Sequence, residues 1–341
     1  MHATTTTLTE RRELSAIAYG FIGSKALFAA LELDLFTRLD SGRATTEQLC
    51  ACTSVARNRL QTLLHALTAL GLLDHDGAGY ANGPAAARWL VRGAPSGFGE
   101  YFRLQIGRQI YPALTHLDAG LAGTGAAFDT LAGLLSSPEE AATFTDAQHA
   151  GSLGAARALA ERIGPAVDGA GRLLDVGGGS GAFSIALCER HPALRATVLD
   201  LPAVVEVAGR YRDAAGLSAR IDLLAADAVR DPWPADQDVV LLSYLLSAVG
   251  DAEIDVVLAK ARDCLAPGGL LVVHDFALDD HGAGPTAAAL WFLQYVAYHP
   301  DTVSFSAGAL AERLRGHGFT VLARGELIPG ITAALSARSP S

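Results

Sequence analysis

Leu173-Leu174-Asp175-Val176-Gly177-Gly178-Gly179-Ser180-Gly181 is the stretch on which the rest of the chain is organised. A short apolar run ends in an acid, a glycine-rich turn follows, and Ala182-Phe183-Ser184-Ile185-Ala186-Leu187 begins a helix. The pattern is a strand, a tight loop and a helix N-terminus. Glycine lets a backbone turn this sharply and lets a ligand lie directly on the main chain, so a nucleotide-like cofactor belongs here.

The spacing Gly177, Gly179, Ala182 also satisfies a loose dinucleotide fingerprint, so the loop by itself admits a nicotinamide or flavin as well as S-adenosylmethionine. The following segments supply context. Thr197-Val198-Leu199-Asp200 ends a second strand in an acid placed for a ribose diol. A third run, Ile221 to Ala226, ends at Asp227-Ala228, a position suited to an adenine amino group. Asp238 to Ser243 gives a fourth strand, and Leu265 to Asp275 turns through Pro267-Gly268-Gly269 into a fifth. This series resembles the class I S-adenosylmethionine-dependent methyltransferases. Asp175 to Gly181 together with Asp200-Leu201-Pro202 resembles their small-molecule O-methyltransferase family of plants and bacterial natural-product pathways.

The resemblance covers nearly the whole chain and implies an α/β fold: a Rossmann-like seven-stranded methyltransferase sheet with an N-terminal, mainly helical winged-helix dimerisation domain. It implies S-adenosylmethionine as cofactor, with Asp175, Gly177 and Gly179 at its amino-acid end, Asp200 and Leu201 at the ribose, Asp227 and Ala228 at the adenine, and Ser243 closing the fourth strand beside them. Segments 319–324 and 331–336, joined around Pro329-Gly330, read as a terminal hairpin that completes such a sheet better than a dinucleotide one.

At 341 residues the chain is long enough for two domains with ample core. The expected division is a disordered tail over 1–10, a dimerisation domain over 11–100, a helical linker with substrate-pocket helices over 101–164, and the cofactor domain over 165–341. A formal net charge of −10, with no clustering of basic residues, argues against a nucleic-acid surface. Cys50, Cys52, Cys188 and Cys264 show no framework spacing and suit a reducing cytoplasm. The threonine-rich start lacks a signal-peptide core, and no run is read as transmembrane. The expected setting is cytoplasmic, without membrane or nucleic-acid partners.

From 14 to 39, Ile17, Phe21, Leu27, Leu31 and Leu35 recur at helical spacing and bury a face, with a second subunit as candidate cover. A short helix from Thr45, a longer one over about 54–71 and a hairpin around Asp76-Gly77 spell a winged helix. A DNA-binding reading would place the longer helix in the major groove, but it offers Arg57 and Arg59 as its cations, too few for phosphate neutralisation. A homodimer scaffold fits better.

Tyr101, Gln105 and Arg108 fall at i, i+4 and i+7 of the next helix, a mixed face suited to a substrate pocket or to a subunit contact. Gly120 to Ala132 reads as a flexible connection. Phe144 and Ser152 match family positions on the helix that crosses into the cofactor domain, which implies that Ser152 reaches the cofactor's amino-acid end. Gln148 stands where the family has methionine.

The family's phenol base is a histidine in a His-Asp-Trp run after the fourth strand. Here those positions are Ser247-Ala248-Val249, and the acid expected to orient that histidine falls at Ser304. A serine cannot take a phenolic proton near neutral pH without its own base. Trp291, Tyr295 and Tyr298, at i, i+4 and i+7, form an aromatic wall ending in His299, where the family places its acceptor pocket. His299 is the candidate replacement base, with Tyr295 and Tyr298 orienting and Trp291 and Ser247 against the substrate. His274, Asp275, His281 and His299 fit no metal-ligand spacing. The expected activity is methylation of a small aromatic metabolite, on carbon or nitrogen in preference to oxygen. The alternatives are O-methylation with His299 as base, or a cofactor-bound relative that no longer transfers methyl.

Overall fold

The structure of the protein is a computed structural model that describes residues 7–94, 97–124, 135, 137–299 and 301–340. Most of the tail expected over 1–10, most of the connection expected after Gly120, and Pro300 lie outside the described residues. Two compact units emerge, Thr6–Pro112 and Ala113–Ser341.

In the first unit a 22-residue helix, Arg11–Glu32, opens where the Glu13 carboxylate accepts from the Glu10 N–H at 2.7 Å. It stops where Asp34 adopts a left-handed φ of 56°, so the expected segment 14–39 is two helices, the second being Leu35–Arg38. Thr45 caps Thr46–Thr53 by accepting from the Gln48 N–H. In Arg57–Ala69, Leu60, Leu64 and Leu67 lie on one stripe and pack with Phe36, Leu49, Leu73 and Tyr80. Strands β1 (Leu73–His75) and β2 (Tyr80–Asn82) pair antiparallel to form the wing. Arg11–Glu32 corrects one expectation: by length and composition it is long and apolar enough to cross a membrane. Ile17, Tyr19, Phe21 and Ile22 on it are exposed in the isolated chain.

The unit ends on a short turn, Gly99–Tyr101, that widens into a π-helix over Phe102–Ile110. Hydrogen bonds from i to i+5 put more residues in each turn, so an i, i+4, i+7 row no longer stays on one face. Gln105 is buried while Arg108 stays exposed, which undoes the expected shared face. A Cβ on Gly107 would sit 3.1 Å from the Phe28 ring, so glycine is what lets this segment lie close to the first helix.

The second unit is built on strands β3 (Arg172–Val176), β4 (Arg195–Asp200), β5 (Ile221–Ala225), β6 (Gln237–Ser243), β7 (Leu265–Phe276), β8 (Thr320–Ile328) and β9 (Thr332–Arg338). Their order is β5-β4-β3-β6-β7-β9-β8, parallel except for β9 against β7 and β8. Strand alternation explains the two apolar layers. Leu173, Val198, Val239, Leu241 and Val272 face Leu159, Phe183 and Leu187 from helices Pro138–Val167 and Ala182–Arg190. Leu174, Val176, Leu199, Val240, Leu242 and Val273 face Ile254, Leu258, Leu310 and Leu314 from helices Asp251–Cys264 and Ala307–Gly316. At the β8 edge, Arg162 from the crossing helix donates to the carbonyls of Gly325 (3.3 Å) and Glu326 (2.5 Å).

Candidate active site

The strand order reverses between β3 and β6, and a crevice at the carboxyl ends of such strands is where open α/β sheets bind ligands. Gly177, Gly179 and Gly181 leave β3 with φ of 64°, 57° and 76°, a region that side chains disfavour. On its inner side the turn is pinned. A Cβ on Gly177 would come within 2.9 Å of Leu245, and one on Gly178 within 2.8 Å of the Asp175 carboxyl carbon. At Gly179 an added Cβ would meet nothing within 4 Å, so the turn is open there.

Asp175 lies fully buried beneath this turn. Its Oδ2 accepts from the Ser184 hydroxyl at 2.7 Å, and its Oδ1 has no partner among the described residues. Burial pushes its carboxyl up to about 7, the Ser184 bond opposing and the nearby Asp200 charge reinforcing. Asp200 accepts from the Gly179 N–H at 2.8 Å and from the Leu201 N–H at 2.7 Å, and burial pushes it up to about 6 against those two bonds. Asp227 Oδ1 accepts from Val229 and Arg230 N–H at 2.8 and 3.1 Å, closing the turn after β5. The Ala228 carbonyl there receives the Trp233 indole N–H and the Lys260 ammonium, at 3.0 and 3.1 Å.

The crossing helix brings Ser152 and His149, one turn apart, on Pro138–Val167. His149 Nδ1 lies 2.9 Å from the Ser180 hydroxyl in the glycine turn, and its ring stacks on Tyr211 at 3.6 Å between centroids. Burial, with Asp146 opposing, lowers it to about 4, so it is neutral at physiological pH. The link from His149 to Ser180 depends on how two elements pack, which no local sequence signal shows. Ser243, placed with the cofactor residues in sequence, shares a hydrogen bond of 2.9 Å with buried His274, whose other nitrogen meets Thr332 at 3.0 Å. Burial pushes His274 down to about 3.

On the acceptor side, parallel pairing of β6 and β7 sets Ser243 opposite His274, so the turn after β6 lies beside Asp275. Ser247 donates its hydroxyl to Asp275 Oδ1 at 2.6 Å and its N–H to Oδ2 at 3.1 Å. The Phe276 N–H adds a third bond of 2.8 Å. Burial outweighs these bonds and pushes Asp275 up to about 6. Tyr295 receives the Trp291 indole N–H at 3.3 Å, while Trp291 stacks on Phe276, their centroids 4.7 Å apart. Tyr244, held at a left-handed φ of 56°, packs on His274 and Phe276.

Residues 122–320 match the model of an O-methyltransferase domain, and residues 15–92 that of the O-methyltransferase dimerisation domain. The chain belongs to the O-methyltransferase family. This methyltransferase is 35% identical over 280 residues to 3-hydroxy-5-methyl-1-naphthoate 3-O-methyltransferase of Streptomyces sahachiroi, covering 81% of this chain and 80% of that one. It is 32% identical over 277 residues to N,N-dimethyltransferase OxyT of Streptomyces rimosus, covering 79% of each. Its fold matches human N-acetylserotonin methyltransferase in complex with S-adenosylmethionine, with a TM-score of 0.85, 23% identity and full coverage of both chains. It is an S-adenosylmethionine-dependent enzyme, and the open turn at Gly179, the unpartnered Asp175 oxygen and the Asp200 carboxylate fit that cofactor.

Of the expected catalytic residues, the methyltransferase brings Tyr295 together with Trp291, and places His299 elsewhere. His299 Nδ1 accepts from the Asp301 N–H at 3.3 Å, and Nε2 lies 3.8 Å from Glu253 at the start of the Asp251–Cys264 helix. The chain leaves helical geometry after Tyr295, which turns His299 off the aromatic row. Tyr298 is buried, and burial raises its phenol far above the ordinary range. Ser304, at the position where the family's acid is absent, is exposed, and the carboxylate that meets Ser247 is Asp275 of β7. Its sequence signal was a lone carboxylate in an otherwise apolar strand end, whose meaning depended on knowing that β6 and β7 are neighbours. In the first unit, Arg108 pairs with Glu32 through two bonds of 2.6 Å, and Tyr101 packs on Phe98, their centroids 4.7 Å apart.

Proposed function

We propose that the protein transfers the methyl group of S-adenosylmethionine to a hydroxyl oxygen of a small aromatic natural-product metabolite. The observation that carries the choice of oxygen is the buried Asp275 carboxylate hydrogen-bonded to Ser247, beside the strand that borders the cofactor turn. A bound S-adenosylmethionine supplies a methyl already activated on a sulfonium, so the protein has chiefly to align the acceptor and dispose of its proton. Gly177, Gly179 and Ser152 would hold the amino-acid end with Asp175 beneath them, Asp200 and Leu201 the ribose, and Asp227 with Ala228 the adenine. Ser243 acts from below through His274. Likeness to a 3-O-methyltransferase of a hydroxynaphthoate supports an aromatic hydroxyl acceptor.

A second reading, N-methylation, is favoured by the replacement of the imidazole at Ser247 and by the likeness to an N,N-dimethyltransferase. We also assign the chain a cytoplasmic homodimer. The dimerisation-domain match and the exposed Ile17, Phe21 and Ile22 support the pairing.

Methyl-labelled S-adenosylmethionine, offered with a panel of phenols, enols, amines and indoles, tests the assignment through the carbon chemical shift of the product. A methyl ether is expected. Label on nitrogen would favour the second reading, and no transfer to any acceptor, with cofactor binding shown by calorimetry, would overturn methyl transfer.

A further inference from the structure

We infer that His149 is a positioning residue for the cofactor: through Ser180 it sets the backbone donor of the glycine turn that is left for the carboxylate of the cofactor's amino-acid end. This rests on the reading above that the turn after β3 holds that end, and it is independent of which atom receives the methyl. The N–H groups of Gly177 and Gly178 donate to the Leu199 carbonyl at 2.8 and 3.3 Å, that of Gly179 to Asp200 at 2.8 Å, and that of Gly181 to the Gly178 carbonyl at 2.9 Å. The Ser180 N–H makes no hydrogen bond to the described residues. It stands next to Gly179, where the turn is open, and just before the helix Ala182–Arg190, whose N-terminus favours an anion.

Between residues 177 and 181 only Ser180 has a side chain by which the turn can be held. Ser180 is buried, and the partner of its hydroxyl is His149 Nδ1, 2.9 Å away. The imidazole is itself held from behind. It stacks on Tyr211 with the ring planes 15° apart, and the Tyr211 hydroxyl donates to Asp146 Oδ1 at 2.9 Å, one turn before His149 on the crossing helix. Arg210 pairs with the same carboxylate at 3.2 Å. Tyr211 and Arg210 belong to the helix Pro202–Ala214, which starts where β4 ends at Asp200. One ring therefore joins the crossing helix, the glycine turn and the helix after β4.

The neighbouring polar groups do not substitute for His149. Asp175 is bonded to Ser184, and Asp200 to the N–H groups of Gly179 and Leu201, so neither holds Ser180. Without the imidazole the Ser180 hydroxyl is left with no partner among the described residues, and the peptide that carries the Ser180 N–H loses its anchor. A neutral imidazole and a rotating hydroxyl exchange donor and acceptor roles, so the bond forms in either tautomer. The residues assigned to the adenosine end, Asp200, Leu201, Asp227 and Ala228, keep their own partners when this bond is removed. The effect of the clip belongs to the amino-acid end alone.

Calorimetric titration of the full-length protein tests this with two ligands, S-adenosylhomocysteine and 5′-methylthioadenosine, which share the adenosine but not the amino-acid end. His149→Phe keeps a ring against Tyr211 without a nitrogen, and Ser180→Ala removes the hydroxyl from the other side. Each should raise the Kd of S-adenosylhomocysteine about tenfold, as for one lost hydrogen bond, and move that of methylthioadenosine by less than about twofold. The double variant should bind no more weakly than either single one, because the two side chains act as a pair. His149→Asn, whose carboxamide offers a donor and an acceptor near the place of Nδ1, should return S-adenosylhomocysteine to within about threefold of wild type. Wild-type affinity in both single variants, or losses that add in the double one, would overturn the clip. Equal losses for the two ligands would instead overturn the placing of the amino-acid end at this turn.

Discussion

Asp175, Asp200 and Asp275 sit at the carboxyl ends of β3, β4 and β7, and burial holds all three above the usual carboxylate range, at about 7, 6 and 6. An acid raised in the folded state binds more protons there than in the unfolded chain, so its contribution to stability declines as pH rises from the unfolded value toward the folded one. The buried His149 and His274, lowered to about 4 and 3, act the opposite way and lose stability as pH falls below 6.5. Comparing one variant with the wild type cancels the histidines. Asp275→Asn should therefore gain stability relative to wild type between pH 4 and pH 8, by on the order of 3 kcal/mol for a carboxyl moved by two pKa units. Urea midpoints at those two pH values measure it, and a pH-independent difference would show that Asp275 titrates normally.

Among the elements, the turn after β3 is the most exacting. Alanine at Gly178 would put a carbon 2.8 Å from the Asp175 carboxyl and 3.0 Å from Val198, neither of which is a free chain end. Gly178→Ala should weaken S-adenosylmethionine binding at least about tenfold, since opening the turn by a few tenths of an ångström costs more than 1 kcal/mol. Calorimetric titration reads it, and wild-type affinity would mean that the turn yields freely. This element was legible in sequence because glycine spacing and strand alternation are local signals. The strands agree to within a few residues for the same reason, as Leu173, Val239 and Leu241 on one face and Leu174, Val240 and Leu242 on the other show. The π-helix over Phe102–Ile110 was not legible, because its residues suit an α-helix equally well. Nor was the Ser247–Asp275 pair, since 28 residues and a choice of strand neighbour separate its members.

For the molecule as a whole, the exposed apolar row on Arg11–Glu32 is the surface that the proposed homodimer would bury. Substituting Ile17 and Phe21 together by Asp should convert the dimer to a monomer in light scattering, and a dimer that survives the pair would place the interface elsewhere. Within the second unit, the β8 border of the sheet faces the opposite demand. A sheet that finishes on an unshared strand invites further strands to add to it, in a crowded solution as in a fibril. Arg162 spans that border and occupies the carbonyls of Gly325 and Glu326 with a cation, and Gly325 leaves the room for it: a Cβ there would lie 2.9 Å from the guanidinium. One long side chain thus marks where the sheet is to stop growing, and the proposed pairing is left to Arg11–Glu32.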